Sequence, residues 1–193
     1  GHYNIIHSNT SYTYVGALAS RICGVPHVWH IRELLEEDQN KQIMDKSAGY
    51  GLMSKSALVI AISKTVHDKY CRIVPANKVK VIYNGIDKNK FYRPAKTIFS
   101  GSKPIFLFVS GSDSPLKGRK ELIDACAILK RQSIDFELWF VGWCGDRLRD
   151  YIKNAGLSNE TTFWDYQEKP EEFYEKADIC FMCSRNEAFG RTT

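Results

Sequence analysis

The apolar residues along this chain follow two alternating patterns. Short runs rich in apolar residues predict strands, and they occur at residues 3–7, 26–31, 58–62, 79–83, 105–109, 136–141, 161–164 and 179–183. The run at 179–183 has no polar interruption, which predicts a strand buried on both faces. Between these runs, apolar residues recur three and four positions apart, as Val15, Leu18, Ala19 and Ile22 do, which predicts helices with one buried stripe. The more polar residues 35–54 predict a loop and then a helix. Strands that alternate with helices are typical of an α/β protein with parallel sheets.

Turn-forming residues agree with the ends of several of these elements. Gly24 is expected to end the first helix in the left-handed conformation, and Pro26 prevents that helix from continuing. Ser63 is expected to cap a later helix at its N-terminus, and Pro170 is expected to open the last one. The local signals therefore support the element boundaries that the hydrophobic pattern predicts.

The hydrophobic pattern lapses between Asp87 and Lys103, where basic residues, a proline and a Ser-Gly-Ser run replace it. Such a stretch is typical of a linker between domains. We therefore predict one Rossmann-like domain at residues 1–87, a linker at 88–103 and a second Rossmann-like domain at 104–193.

Composition and charge exclude several classes of protein. The chain has 193 residues, 44% hydrophobic and 25% charged, which predicts a folded globular protein rather than a disordered one. The net charge of +5 favours anionic ligands, but no Lys/Arg run is long enough to indicate nucleic acid. No apolar stretch approaches the roughly 20 residues that cross a bilayer. With no signal peptide recognisable at its start, we expect a cytoplasmic location.

The six cysteines are scattered, and most lie within apolar patterns, as buried thiols do in a reducing compartment. Cys180 and Cys183 have the C-x-x-C spacing of some metal and redox sites, but residues three apart in a strand point to opposite faces. The histidines show no metal-ligand spacing with one another or with the cysteines. We therefore predict no metal site.

Polar residues follow the predicted carboxyl end of nearly every strand. In a parallel sheet those ends share one edge, and open α/β sheets bind ligands there, so these groups are expected to converge on a cleft. They are His7, Ser8, Asn9, His30, Ser63, Asn84, Gly85, residues 110–117, residues 142–146, Asp165, and residues 184–187.

The loop at residues 108–118, between a predicted strand and a helix, is suited to phosphate. Its small residues would let backbone N–H groups approach a phosphate, and Lys117 adds a positive charge beside the helix start. The residue order is not that of a Walker loop, and the G-x-G-x-x-G fingerprint of nicotinamide-binding proteins is absent. The alternative is an ordinary connecting loop with a solvated lysine.

Two further side chains are candidates for chemistry. His30 ends a buried strand, where it could act as an acid, a base or a hydrogen-bond donor, although most isolated histidines do none of these. Glu187 follows the last predicted strand, where a reactive carboxylate would be useful. The alternative for Glu187 is an acid that is favoured only by the dipole of a following helix.

Several of these motifs, in this order, resemble glycosyltransferase family 4. The resemblance extends from about residue 4 to the end of the chain. It rests on the loop at 109–118, the strand end Phe140-Val141-Gly142, the strand start Ala177-Asp178, and the runs at 184–190, 83–87 and 25–30. Members of this family are retaining, nucleotide-sugar-dependent enzymes of the GT-B fold. In that fold two Rossmann-like domains face each other across a cleft, and the second domain holds the sugar nucleotide.

The resemblance implies a role for each candidate residue. Lys117 would neutralise the departing diphosphate, Glu187 would hold hydroxyls of the donor sugar, and His30 would face the reacting sugar. The backbone near Asp165 and Tyr166 would lie against the base. A UDP-, GDP- or ADP-sugar would contact Gly111, Ser112, Lys117, Gly118, Asp165, Tyr166, Glu187, Phe189 and Gly190, and the acceptor side would include Ser8, Asn9, His30 and Asn84.

The implied activity is transfer of a sugar, with retention, from a nucleotide-diphosphate donor to a hydroxyl, in bacterial-type polysaccharide or glycoconjugate synthesis. The implied partners are a nucleotide sugar and a glycan, lipid-linked or other hydroxyl acceptor, with peripheral contact at the inner membrane face as an option. The resemblance implies no cofactor, no metal and no nucleic acid.

The resemblance also implies that both domains are incomplete. Residues 1–87 would be the C-terminal part of the acceptor-side domain, because the family's glycine-rich first loop is absent. Residues 104–193 would be the N-terminal part of the nucleotide-sugar domain, because the family's second Glu, eight residues after Glu187, would be residue 195. The chain is therefore expected to be an inactive fragment, truncated at both ends.

One position departs from the family pattern. The family usually carries an Arg five residues before the loop lysine, where this chain has Ser112. Arg119 follows the loop, but its helical position is expected to point its side chain elsewhere. Two alternatives to the transferase stay open: a non-catalytic module that binds sugar nucleotides, and a nucleotide-sugar 2-epimerase of the GT-B fold.

Overall fold

The computed structural model of the chain describes residues 2–42, 45–92, 103–112 and 114–190. The chain divides into two compact units. The first contains the residues up to Gly85 together with Asn186–Phe189, and the second contains Ile86–Arg185 and the residues from Gly190 onward.

The first unit is a parallel sheet of four strands in the order β1-β2-β3-β4. Its strands are β1 Ile6–Ser8, β2 His27–Ile31, β3 Leu58–Ala61 and β4 Val79–Val81, and its helices are α1 Val15–Cys23, α2 Leu35–Gln39, α3 Lys46–Lys55 and α4 Lys64–Tyr70. A short 3-10 helix, Ala76–Lys78, leads into β4. Strand, helix and next strand follow one another here, as the hydrophobic pattern predicts.

The core of the first unit lies on one face of its sheet. Trp29, Ile31 and Val59 are fully buried there, and they pack with Met53 of α3 and Val66 of α4. Because successive residues of a strand point to opposite faces, the neighbours of these residues, such as His30, lie on the other face. This alternation decides which polar side chains reach which face.

Two predicted helix boundaries in the first unit are confirmed. Gly24 ends α1 with a φ of 66°, in the left-handed region that glycine adopts without a steric cost. Ser63 caps α4 by accepting a hydrogen bond from the backbone N–H of Val66.

The second unit is also a four-stranded parallel sheet, but its order is β7-β6-β5-β8. Its strands are β5 Ile105–Ser110, β6 Glu137–Gly142, β7 Thr161–Trp164 and β8 Ile179–Cys180, and its helices are α5 Lys88–Phe91, α6 Arg119–Arg131, α7 Asp146–Asn154 and α8 Glu171–Lys176. The chain adds β6 and β7 on one side of β5 and then returns to add β8 on the other side. The strand order therefore reverses between β5 and β8, and a crevice for a ligand is expected at such a switch point.

Aromatic and branched aliphatic residues fill the core of the second unit. Leu138 of β6, Ile123 of α6 and Ile152 of α7 are almost completely buried in one cluster. The rings of Phe106 and Phe136 stack in the same cluster, with centroids 5.2 Å apart. The predicted α/β fold with parallel sheets is confirmed.

The prediction of a buried strand at residues 179–183 is wrong in its extent. The strand β8 contains only Ile179 and Cys180, and the side chains of Cys180 and Met182 are exposed. Among the described strands β8 pairs only with β5, so it forms an edge of the sheet, and one side of it is not covered by another strand. The apolar composition of the run does not reveal that position.

The predicted linker at 88–103 contains the short helix α5, which packs through a ring contact between Phe91 and Tyr174 of α8. The remainder of this prediction, residues 93–102, lies outside the described residues. Of the helices that the structure describes, none is both long and apolar enough to cross a membrane.

Candidate functional site

The carboxyl ends of β1 and β2 bring two histidines of the first unit together. The rings of His7 and His30 are stacked, with centroids 5.6 Å apart and planes 11° apart. The Nε2 atom of His30 is buried, and no described residue forms a hydrogen bond with it. Burial lowers the pKa of His30, the charges of Arg32 and His7 lower it further, and Glu33 opposes them. His30 is therefore held toward its neutral form at the position where chemistry was predicted.

The hydroxyl of Ser8 lies on the opposite face of the sheet from His30. Its Oγ is 2.8 Å from Nε2 of His27, whose Nδ1 is 3.0 Å from Oγ of Ser56. A Cβ atom at Gly16 would lie 2.2 Å from Ser8 Oγ, so the helix α1 leaves no room beside this hydroxyl. The predicted acceptor-side residues Ser8 and His30 are thus not brought together, because strand neighbours point to opposite faces.

Glu33 is a functional candidate that sequence reasoning missed. One of its carboxylate oxygens accepts hydrogen bonds from the backbone N–H of Ser11 at 2.6 Å and from the hydroxyls of Ser11 and Thr10. The indole N–H of Trp29 donates to the carbonyl oxygen of Thr10 at 2.6 Å. Together these bonds hold the loop that follows β1, which contains the exposed Asn9. In the sequence Glu33 stands out only as an acid just after a predicted strand. Its hydrogen-bond partners lie more than 20 residues away in the chain, so the sequence does not indicate them.

The segment Asn186–Phe189 packs within the first unit. Ala188 is 5% exposed and belongs to the core cluster of that unit, and the ring of Phe189 lies 6.3 Å from the ring of Tyr83. Glu187 directly precedes Ala188 in this segment and is half-buried. The candidate Asn84 is half-buried and lies three residues after the last residue of β4. Lys117 belongs to the second unit and Glu187 to the first. The predicted arrangement of both side chains around one diphosphate therefore stays a prediction.

In the second unit the loops after β5 and β8 touch each other at the switch point. Gly118 has a φ of 72°, and a Cβ atom there would lie 2.1 Å from the carbonyl oxygen of Cys183. The backbone N–H of Arg185 donates to the carbonyl oxygen of Leu116 at 3.1 Å. Glycine at position 118 is what permits this close approach. The candidate Lys117 is the residue immediately before it, at the end of the 3-10 helix Pro115–Lys117.

The predicted small residues of this loop leave its backbone accessible. Gly111 and Ser112 are exposed, and no atom lies within 4 Å of the place where a Cβ of Gly111 would be. The buried hydroxyl of Ser110 donates to the carbonyl oxygen of Ser112 at 3.0 Å, which holds the loop at its start. An ordered backbone with open space above a glycine is the geometry that a phosphate-binding loop needs.

The expectation for Arg119 was wrong. Its side chain is 5% exposed and turns toward the carboxyl edge of the sheet, where Nη2 lies 3.4 Å from Oγ of Ser110. Its guanidinium carbon lies 5.9 Å from the ring centre of Trp143, in the loop after β6. Arg119 is the first residue of α6, and side chains of a helix point back toward its N-terminus, which here faces the ends of the strands.

Asp165 and Tyr166 directly follow β7, which is an edge strand of the second sheet. Both are exposed, Tyr166 to 82%. They lie at the carboxyl edge, as predicted, but two strands away from β5 in the order of the sheet. In the part of the chain that the structure describes, no group of three or more histidine, cysteine or acidic side chains could hold a metal ion.

Two family models match the chain. Residues 93–193 match the model described as glycosyl transferases group 1, and residues 1–90 match glycosyltransferase family 4. An uncharacterised glycosyltransferase of Methanocaldococcus jannaschii is 30% identical over 97% of this chain and 53% of its own length. The O-antigen biosynthesis glycosyltransferase WclY of Escherichia coli is 28% identical over 69% of this chain and 38% of its own length. The chain thus spans about half of the first of these relatives, and less of the second.

Solved structures show the same fold. HepE of Anabaena in complex with UDP-glucose has a TM-score of 0.81 at 26% identity, covering 98% of this chain and 56% of HepE. A glycosyltransferase of Rickettsia africae has a TM-score of 0.78 at 22% identity, covering 98% of this chain and 54% of its own. The resemblance drawn from the sequence motifs is thereby confirmed. The chain belongs to the group 1 glycosyltransferases, with a family 4 glycosyltransferase region in its first 90 residues.

Proposed function

We propose that the complete protein containing this chain transfers a sugar, with retention of configuration, from a nucleotide-diphosphate donor to a hydroxyl of a growing glycan or glycoconjugate. The observation that carries the proposal is the switch point of the second sheet, where the loop bearing Lys117 meets the loop after β8 at Gly118. Ligands of open α/β sheets bind at such a position.

The donor's phosphates are assigned to the loop after β5. The open space above Gly111 and the ordered turn from Ser110 to Ser112 suit the approach of phosphate oxygens to backbone N–H groups. Lys117 is half-buried at the end of the adjoining 3-10 helix. Its ammonium group would stabilise the charge that accumulates on the diphosphate as the bond to the sugar breaks.

The chemistry is a substitution at the anomeric carbon of the donor sugar. The oxygen of the acceptor hydroxyl forms a bond to this carbon, the bond from the carbon to the phosphate oxygen breaks, and the proton of the hydroxyl moves to a phosphate oxygen. Attack on the face from which the diphosphate departs retains the configuration. His30, held toward its neutral form by burial, is proposed to hydrogen-bond the reacting sugar through Nε2.

The relatives support the class of donor and product. Structures of HepE contain UDP and glucose, or UDP-glucose, and WclY is named for O-antigen biosynthesis. We extend these properties to this protein as part of the proposal, with a UDP-, GDP- or ADP-sugar as donor. The net charge of +5 would favour peripheral contact with an acidic membrane surface, where lipid-linked acceptors reside.

The test measures release of nucleoside diphosphate from a panel of UDP-, GDP- and ADP-sugars by the complete protein, with and without mixed glycan acceptors. We expect Lys117→Ala to lower the rate with the preferred donor by about 100-fold or more, the size of effect seen when an electrostatic stabiliser is removed. Lys153→Ala, at an exposed lysine near the end of α7, is the matched control and should leave the rate unchanged.

Retention is tested separately, by NMR of the anomeric proton of the product. A product with the same anomeric configuration as the donor supports the proposal, and the opposite configuration overturns the retaining mechanism. The transferase is refuted if the complete protein releases no nucleotide from any donor. Turnover that needs no acceptor and yields an epimerised sugar nucleotide would replace it with an epimerase.

A further inference from the structure

Trp143 is a large aromatic side chain that stands half-exposed at the carboxyl edge of the second sheet. It follows Gly142, the last residue of β6, and it is 48% exposed. Single exposed apolar side chains are common in folded proteins, so exposure alone does not indicate a ligand. The more informative feature is the way in which the Trp143 ring is held at the end of its strand.

The position of the Trp143 ring is set by three contacts. The backbone N–H of Trp143 donates to the carbonyl oxygen of Ser110 at 2.9 Å, which ties the residue to the end of β5. A Cβ atom at Gly145 would lie 2.2 Å from the indole Cη2, so the outer end of the ring rests on the backbone there. The guanidinium carbon of the buried Arg119 lies 5.9 Å from the ring centre. The ring is thus held in place by the backbone and by a cation–π contact.

The same contacts connect Trp143 to the loop assigned to the phosphates. Arg119 approaches Ser110 Oγ at 3.4 Å, and this hydroxyl also holds the carbonyl oxygen of Ser112 at 3.0 Å. The strand β6 is the direct neighbour of β5, and adjacent strands lie roughly 4.8 Å apart. The indole therefore stands beside the phosphate loop, one strand away from the switch point.

The other two tryptophans of this unit, the half-buried Trp139 and the exposed Trp164, have aromatic neighbours instead. The ring of Trp164 lies 5.9 Å from that of Trp139 and 5.3 Å from that of Phe173, and the three form one cluster. This cluster accounts for their positions without a ligand. Among the described residues Trp143 takes part in no ring–ring contact, and its ring lies against the guanidinium group of Arg119 instead.

We propose that Trp143, held in place by Arg119, is the platform on which the base of the donor nucleotide stacks. The inference rests on the proposed function, because it requires that the phosphates occupy the neighbouring loop. Aromatic side chains bind every base through its π-face, and a ring that is already fixed loses little entropy when a base stacks on it. Arg119 acts as a positioning residue that holds both the ring and the phosphate loop through Ser110.

The experiment compares two substitutions of similar volume in the complete protein, Trp143→Phe and Trp143→Leu. Calorimetry measures the affinity of each for UDP, GDP and ADP and for inorganic pyrophosphate. We expect Trp143→Phe to bind the preferred nucleotide almost as tightly as the unmodified protein. Trp143→Leu should bind it about 5- to 150-fold more weakly, which corresponds to the usual effect of removing one base–aromatic stack. Neither change should alter the affinity for pyrophosphate.

Two further variants complete the design. Arg119→Met should weaken nucleotide binding, because it removes the cation beneath the ring, and it should also weaken pyrophosphate binding through the loss of the bond to Ser110. Trp139→Phe, in the middle of β6, is the control for a tryptophan away from the edge and should leave all affinities unchanged. In the unmodified protein and in Trp139→Phe, a bound base should quench indole fluorescence, and in Trp143→Phe the quenching should be lost.

The outcomes separate the two proposals. If the unmodified protein binds none of the three nucleotides, the proposed function fails. If it binds one of them and Trp143→Leu binds that nucleotide equally well, the platform is refuted while the proposed function stands. If Trp143→Leu weakens pyrophosphate and nucleotide by the same factor, Trp143 only supports the phosphate loop, and the platform is likewise refuted.

Discussion

The imidazole rings of His7 and His30 lie stacked on the same face of β1 and β2, with their centroids 5.6 Å apart. A positive charge on either ring raises the free energy of a positive charge on the other. For this reason His7 contributes to lowering the pKa of His30. The other charged groups that act on His30 are Arg32, which lowers its pKa, and Glu33, which raises it. Burial is the largest cause of the lowered pKa of His30, and the stacked His7 adds a smaller contribution in the same direction.

Replacing His7 with phenylalanine should raise the pKa of His30. The change His7→Phe keeps an aromatic ring in the stack and removes its charge, while burial and Arg32 still hold the pKa of His30 below the ordinary value. NMR titration of the His30 ring protons measures the shift directly. The same variant should move the acidic limb of the rate profile upward in pH. An unchanged His30 titration in His7→Phe would show that the stack has no electrostatic role.

Acidification should destabilise the first unit through His27 and His30. Burial lowers the pKa of His27, and the charge of His7 lowers it further, while His30 is lowered by burial first. In the unfolded chain both would titrate near the ordinary value of 6.5, so between that value and their lower folded values the unfolded state binds more protons. Stability should therefore fall as the pH drops below about 6.5.

Urea unfolding at pH 7.5 and pH 5 measures this loss. The double variant His27→Gln with His30→Gln should lose less stability than the unmodified protein over the same interval, because it lacks both titrating rings. An equal loss in the two proteins would assign the acid sensitivity to other groups.

Alanine at position 118 should disrupt the switch point. Gly118 has a φ of 72°, and the added Cβ would lie 2.1 Å from the carbonyl oxygen of Cys183. The left-handed conformation alone costs an alanine about 1–2 kcal/mol, and the clash adds to this cost. Urea unfolding should show a loss of more than about 2 kcal/mol, and nucleotide binding should weaken as well.

Gly156→Ala is the matched control for this change. Gly156 belongs to the same unit and has a φ of 73°, but no atom lies within 4 Å of the place where its Cβ would be. The free energy of unfolding of Gly156→Ala should therefore fall only by the cost of the left-handed conformation, because no steric clash adds to it. Equal losses at the two positions would mean that the contact with Cys183 relaxes freely and does not hold the two loops together.

Glu33→Gln should loosen the loop that follows β1. The carboxylate accepts bonds from Ser11 and Thr10, and hydrogen bonds to a charged group contribute about 1.5–3 kcal/mol each, more than those to a neutral amide. We expect a stability loss of about 1–2 kcal/mol and a higher KM for the acceptor with a nearly unchanged KM for the donor.

The control for this prediction is Asp68→Asn. Asp68 is exposed, and its partner is His67 beside it on α4, so the substitution should change stability by less than about 1 kcal/mol. Hydrogen exchange at the backbone amide of Ser11 gives a local measure. Unchanged protection of that amide in Glu33→Gln would show that Glu33 does not hold the loop.

Features that depend on a few consecutive residues were predictable from the pattern of the chain. The alternation of apolar runs and helical stripes predicts the elements, and Gly24 and Ser63 mark boundaries that the structure confirms. Each of these signals reflects a local steric or hydrogen-bonding preference that acts within one turn or one strand. Order along the chain was also enough to place the candidate loops at carboxyl ends of strands.

The pairing of distant segments decided the rest. The order β7-β6-β5-β8 creates the switch point, and it brings Gly118 against Cys183, 65 positions further along the chain. Glu33 reaches the loop after β1 because β1 and β2 pair, and Arg119 meets Trp143 because β5 and β6 pair. Local preferences contain no information on which strands become neighbours, since burial of the whole core selects that arrangement.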